Sequence, residues 1–292
     1  MLHSFYKSSD RDFTLLQGDC VELLNQFDFK FDMIFADPPY FLSNGGISVQ
    51  SGKQVSVNKG DWDKSHGFEK DNEFNRKWLS ACRSHLKDDG TIWISGTYHN
   101  IFSVALMLNE LDFRILNCVI WAKTNPPPNL SCRFFTHSTE FILWARKSKK
   151  VPHYFNYELM KEINGGTQMR DLWTLPAIAK WEKSCGKHPT QKPLPLLARI
   201  ILASTKENAW ILDPFTGSST TGIAASLLNR RFLGIDRETE FLELSKSRSE
   251  EIENPQIRQN YRGKILKYSD KPIRGIVEIR EDTPYFGADL PF

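Results

Sequence analysis

Two apolar runs in this chain each stop on an aspartate followed by a proline, and that pair of endings limits the folds open to it. Phe31-Asp32-Met33-Ile34-Phe35-Ala36 leads into Asp37-Pro38-Pro39-Tyr40, and Ala209-Trp210-Ile211-Leu212 leads into Asp213-Pro214-Phe215-Thr216-Gly217-Ser218. A short apolar run rich in branched and aromatic residues, ended by proline or glycine, reads as a buried strand with polar groups at its carboxyl end. Similar runs predict strands at 13–18, 91–95, 114–121, 139–145 and 231–235, and helical periodicity predicts helices at 73–86, 99–111, 193–205, 219–228 and 238–251. Strands alternating with helices build a mostly parallel sheet covered on both faces. The expectation is therefore an α/β, Rossmann-like domain with a seven-stranded mixed sheet. Segments 114–121 and 139–145, with no helix between them, should form an antiparallel pair at one edge.

In such a sheet, ligands lie beyond the carboxyl ends of the strands. Both strings sit there. The Asp37 carboxylate can accept one hydrogen of an exocyclic amine and the Pro38 carbonyl the other, while Pro38 and Pro39 stiffen the turn. Tyr40 offers a ring on which a base can stack, a contact worth ~1–3 kcal/mol. Two acceptors aimed at one amine direct its lone pair toward an electrophilic methyl group, so alignment carries the catalysis and no strong general base is needed. In the second string, Gly217 allows close approach, and a helix opening at Ser219-Thr220-Thr221 offers free N–H groups to a carboxylate. Gly234-Ile235-Asp236 ends the next strand on an acid suited to a ribose diol. A full G-x-G-x-x-G is missing around Gly217, which argues against a dinucleotide.

The five cysteines, Cys20, Cys82, Cys118, Cys132 and Cys185, are scattered without a C-x-x-C pair, so neither a metal site nor a disulfide framework is expected. None follows a proline, the context of the nucleophile in cytosine-carbon methylation. Residues 123–192 hold 12 Lys/Arg against 5 Asp/Glu, although the whole chain carries only +3, so a phosphate-facing surface is expected there. Residues 43–66 read as a mobile active-site loop, 146–191 as a basic insertion, and 251–292 as a C-terminal extension whose IRGIVEIRED segment suits an added strand. The aspartates Asp61 and Asp63 fit either a functional or a solvated role, and Trp93 reads as core. With no membrane-length apolar run and no signal-like N-terminus, a cytoplasmic location is expected.

Taken in order, these motifs resemble the S-adenosylmethionine-dependent amino-methylating DNA methyltransferases, specifically the permuted β group, in which the catalytic motif precedes the recognition region and the donor motif follows. The resemblance covers residues 12–250, with 1–250 as the catalytic domain. It implies catalysis by Asp37, Pro38, Pro39 and Tyr40. Gly18-Asp19-Cys20 resembles the donor-adenine motif, and His188-Pro189-Thr190-Gln191-Lys192-Pro193 the motif closing the donor pocket. The implied donor-binding set is Asp19, Cys20, Asp37, His188, Thr190, Lys192, Asp213, Phe215, Gly217, Ser218, Thr220 and Asp236. The strings FADPPYFLSNGG, GDWDKS, TNPPPNLSCRFFTHSTE and GKHPTQKP are similar to DpnA-type adenine methyltransferases of DpnII-like restriction systems. That likeness implies transfer to adenine N6 in GATC of double-stranded DNA, tolerance of single-stranded DNA, a cognate restriction endonuclease, and room for a homodimer.

DNA contacts are expected from Asn125, Asn129, Arg133, Lys147, Lys149, Lys150 and Trp173. The neighbouring reading is cytosine-N4 methylation, whose enzymes commonly carry Ser at position 37. A reading of another class is an inactive DNA-binding relic, because Ser219 stands where the family usually has Gly.

Overall fold

The computed structural model describes residues 2–43, 47–50, 53–56, 63–129, 132–186, 188–265 and 290. In chain order the elements are β1 (Tyr6–Lys7), β2 (Phe13–Gln17), α1 (Cys20–Leu24), β3 (Phe31–Ala36), β4 (Ile47–Gln50), β5 (Lys53–Ser56), α2 (Phe68–Ser84), β6 (Leu86–Gly96) and α3 (Ile101–Glu110). There follow β7 (Arg114–Lys123), β8 (Thr139–Arg146), α4 (Tyr157–Ile163), β9 (Leu172–Leu175), α5 (Leu194–Ser204), β10 (Trp210–Asp213), α6 (Thr220–Leu227), β11 (Arg231–Asp236), α7 (Thr239–Glu251) and α8 (Pro255–Ile265).

The main sheet has nine strands rather than seven, in the order β1-β2-β11-β10-β3-β6-β8-β7-β9. The two extra strands lie at its edges. At two and four residues, β1 and β9 are too short to show a strand period in sequence. Strands β2, β11, β10, β3 and β6 run parallel, and β8 runs antiparallel to both β6 and β7. The β7–β8 pair is thus antiparallel as expected, but β9 covers its outer side by pairing with β7. The hairpin β4–β5 forms a separate sheet within the expected 43–66 loop.

Parallel strands buried on both faces explain the near-continuous apolar runs. Leu15, Met33, Phe35, Ile211 and Phe232 pack on one side with α5, α6 and α8, while Leu16, Ile34, Leu212 and Leu233 pack on the other with α1, α2 and α3. Trp93 is core, 4.7 Å from Trp144 in a stacked pair. Tyr261 and Ile265 of α8 join the first core, so the packed unit extends past residue 250. The segment IRGIVEIRED, together with Asp61 and Trp62, lies outside the described residues.

The neighbour relation that matters is β3 beside β10, with Met33 opposite Ile211 and Ile34 opposite Leu212. The chain leaves β3 toward α2 on one face and leaves β10 toward α6 on the other. That reversal opens a crevice at the carboxyl ends, and it sets Asp37 and Asp213 side by side.

Candidate active site

A cavity of about 280 Å³ fills this crevice. Its lining brings together Asp19, Cys20, Asp37, Pro39, His188, Thr190, Lys192, Asp213, Phe215, Gly217, Ser218, Thr220 and Asp236. The whole donor set expected from the motifs therefore meets in one place. Tyr40 lines a second cavity of about 230 Å³ next to it, with His99 and Asn100.

The half of the cavity below β2, β10 and β11 is built from carboxylates held by backbone N–H groups. Asp19 caps α1, accepting from the amides of Val21 and Glu22 at 2.9 and 3.0 Å, and its other oxygen pairs with Arg237. Burial works against its ionisation, but the Arg237 contact and the amides outweigh it and hold the carboxyl below its usual range. Asp236 accepts from the Gly217 amide at 2.8 Å and the Glu238 amide at 2.9 Å. Asp236 lines the cavity, and a carboxylate oxygen can accept more than one hydrogen bond, as binding of a ribose diol requires. Asp213 accepts from the Phe215 amide at 3.1 Å and the Thr221 hydroxyl at 2.6 Å, and burial pushes its carboxyl up to about 7.

Gly217 has φ +50, a left-handed conformation, and a Cβ there would come within 3.0 Å of His188 Nε2, so both backbone and space call for glycine. Ser219 also sits in the left-handed region, at φ 53. Its hydroxyl lies 2.8 Å from Thr216 Oγ1, and Ser219 is not among the residues that line the cavity, so it shapes the turn without narrowing the pocket. Phe41, Phe74 and Phe215 form an aromatic wall, with neighbouring ring centroids 5.9 and 6.1 Å apart. An acid for a diol, a helix start and an aromatic wall fit S-adenosylmethionine, whose ribose, carboxylate and adenine each find a partner of suitable chemistry.

The other half holds a network of side chains. Asp37 accepts from the Tyr40 hydroxyl at 2.6 Å and from the Ser95 hydroxyl, and Lys192 Nζ lies 2.5 Å from its second oxygen. Burial opposes ionisation of Asp37, but Lys192 and the two hydroxyls prevail and lower its pKa. Burial likewise opposes the charge on Lys192, and Asp37, Tyr40 and Glu140 more than compensate, so the ammonium is retained far above neutrality. The pair is ionic. Tyr40 is only 7% exposed, so in this state it contributes its hydroxyl rather than an open ring.

The DPPY turn is pinned by Asp63, which is fully buried and accepts from the amides of Tyr40 and Phe41 at 2.8 and 2.9 Å and from the Ser43 hydroxyl at 2.9 Å. Those bonds hold Phe41 in a left-handed conformation, φ 58, that a bulky residue rarely adopts. Sequence left the role of Asp63 open, and Ser95 and Glu140 carried no signal, because their partners lie elsewhere in the chain.

The expected DNA contacts divide. Asn125, Asn129 and Arg133 follow the carboxyl end of β7, at the same edge of the sheet as the cavity, with Phe134 and Phe135 exposed next to them. Trp173 is corrected to core: it is 4% exposed, 6.2 Å from Trp93, with its indole N–H donated to the Arg170 carbonyl. Lys147, Lys149 and Lys150 are corrected as well. They follow the end of antiparallel β8, which brings them to the amino ends of the parallel strands, opposite the cavity. Lys147 there bonds the Leu86 carbonyl and pairs with Asp88, and Lys149 pairs with Asp112.

A donor cavity joined to an amine-accepting turn at the carboxyl edge of a permuted α/β sheet defines a methyltransferase. Residues 31–247 match the family model described as DNA methylase, and the chain belongs to that family, whose methyl donor is S-adenosylmethionine. It is similar to the type II methyltransferase M2.MboI of Moraxella bovis, 55% identical over 264 residues (90% of this chain, 96% of the relative). It is also similar to M2.DpnII of Streptococcus pneumoniae, 63% identical over 238 residues (81% and 89%). The crystal structure of the M1.HpyAVI–SAM complex aligns with TM-score 0.59 and 29% identity, covering 81% of this chain and 98% of that one. The PvuII cytosine-N4-specific methyltransferase aligns with TM-score 0.67 over 90% and 94%, and at 17% identity this likeness concerns the fold alone. Among the described residues, no helix is long and apolar enough to cross a membrane, and no cluster of metal-ligating side chains occurs.

Proposed function

We propose that this methylase is a site-specific DNA adenine-N6 methyltransferase of a restriction–modification system, acting at GATC and accepting single-stranded DNA. The observation that carries the reading is the Asp37 carboxylate at the head of the Asp-Pro-Pro-Tyr turn, ionised and set beside the donor cavity. Type II relatives support the restriction–modification context, and the choice of adenine rests on Asp37 and the likeness of the DpnII-like strings. The reading places the enzyme with its DNA in the cytoplasm, beside a cognate endonuclease, and leaves room for a homodimer. It takes 1–250 as the catalytic domain, with α8 packed onto it.

S-adenosylmethionine, when bound, supplies an electrophilic methyl group on a sulfonium centre. In this chain, Asp236 would hold the ribose hydroxyls, the start of α6 the carboxylate, and the aromatic wall the adenine. Asp37 and the Pro38 carbonyl orient the target amine, Tyr40 and Ser95 hold the Asp37 carboxylate in place, and Asp63 fixes the turn that carries both acceptors. The target base must leave the duplex to reach a site this deep. The rim after β7, with Asn125, Asn129 and Arg133, meets the DNA.

The test is methylation of an unmodified plasmid, followed by nucleoside mass spectrometry and sequencing of the modified positions. N6-methyladenine confined to GATC is expected. N4-methylcytosine alone would reverse the choice of base, and an unmodified plasmid despite intact donor binding would favour the inactive DNA-binding reading.

A further inference from the structure

The catalytic carboxylate is already occupied. Both Asp37 oxygens are engaged, and one of them carries an ammonium at 2.5 Å. A carboxylate neutralised in this way is a weak acceptor for an amine hydrogen. The ammonium would also oppose the positive charge that grows on the amine nitrogen as it accepts a methyl group, an effect magnified in a site shielded from water. Lys192 must therefore have somewhere else to go.

The structure holds a second seat. Glu140, the second residue of β8, presents Oε2 at 3.7 Å from Lys192 Nζ, inside ion-pair range but beyond hydrogen-bond distance. That oxygen is buried and accepts no hydrogen bond, an uncommon condition for a carboxylate. Its other oxygen is fixed by Lys123 at 2.5 Å, which holds the carboxylate toward Lys192. Four charges thus alternate in a row, Lys123, Glu140, Lys192 and Asp37, and the row is neutral. A shift of Lys192 by ~1 Å would bring it to hydrogen-bond distance of Glu140 without changing the buried charge.

We propose that Glu140 is a positioning residue, the alternate seat of Lys192: without substrate the ammonium closes Asp37, and with the target amine in place it sits on Glu140 Oε2 and leaves Asp37 open to the amine. The inference rests on the amine-methylating reading of the site but not on which base carries the amine.

The test compares the wild type with Glu140→Gln and with Glu140→Gln/Lys192→Met, using circular dichroism and thermal melting as the check that each variant folds. Two readouts follow. The first is kcat. The second needs no turnover: the ratio of affinities for DNA with adenine or with purine at the target position, and with cytosine or 2-pyrimidinone, each pair differing by the amine alone. Wild type should prefer the amine-bearing member of one pair, and which pair it is tests the base assignment separately. Glu140→Gln should keep its donor affinity and KM for DNA, lose about 10²-fold in kcat, and lose the amine preference. The double variant, with no ammonium left to close Asp37, should recover part of both. Unchanged kcat and amine preference in Glu140→Gln would overturn the proposal. So would a double variant no better than the single one, since that is the behaviour of a merely structural pair.

Discussion

The two halves of the cavity use carboxylates in opposite ways. In the donor half, Asp213 binds groups two and eight residues away in sequence, Asp19 caps its own helix two and three residues on while its other oxygen pairs with the exposed Arg237, and Asp236 binds Glu238 as well as Gly217. In the acceptor half, Asp37 bonds Tyr40 three positions on, but its remaining partners are Ser95 and the buried Lys192, which lie 58 and 155 positions away. A carboxylate fixed by its own turn is prearranged wherever that turn forms. One fixed by distant side chains can be rearranged when a neighbour moves. The donor half is a rigid receptor, and the acceptor half has a moving part.

The sharpest break between the halves should come from Asp37→Ala. It should reduce methyl transfer by 10³-fold or more, on the order of the larger effects of single catalytic groups, while leaving donor affinity nearly intact. A parallel loss of donor affinity, measured by calorimetry, would merge the halves that we separate. Asp236→Ala should do the reverse, weakening donor binding by about 1.5–3 kcal/mol through lost charge-assisted hydrogen bonds. An unchanged dissociation constant would take Asp236 out of the donor site.

Asp213 tests the rigidity of the donor half through pH. Its carboxyl is raised from 3.8 to about 7 by burial, so its contribution to stability is full below the unfolded value and is lost as pH rises through about 7. Asp213→Asn keeps the shape, can still accept from the Phe215 amide, and can donate to the Thr221 hydroxyl. Without donor bound, this variant should melt several degrees higher than wild type at pH 8, on the usual scale of ~2–4 °C per kcal/mol, with the gain shrinking toward pH 5. A gain of equal size at both pH values would mean that the buried charge is not its source.

The smallest effect belongs to Ser219→Gly. Relief of the left-handed backbone, worth ~1–2 kcal/mol, is offset by the lost bond to Thr216 and by glycine entropy, so stability should stay within about 1 kcal/mol. Donor affinity should change by less than roughly twofold, or about 0.4 kcal/mol. A large gain in donor affinity would show that the serine does constrain the pocket.

By itself the sequence determined the alternating α/β architecture, the carboxyl-end position of both aspartate turns and the permuted order of the motifs. These features are written in local periodicity and in turns whose hydrogen bonds close within a few residues. The boundaries of α2, α3, α5, α6 and α7 fall within five residues of those read from the pattern. Only the tertiary structure decided the rest. The edge strands β1 and β9 exist because a neighbour supplies their hydrogen bonds, and Trp173 became core because β9 carries it inward. The Lys147–Lys150 run looked like part of a DNA face because charge can be counted along a chain. The antiparallel course of β8 took it to the far end of the sheet. Ser95 and Lys192 meet Asp37, and Glu140 meets Lys192, only because β3, β6 and β8 lie side by side, with the loop before α5 closing over them. Contacts across such separations depend on strand order, and strand order follows from how the whole chain buries its apolar surface.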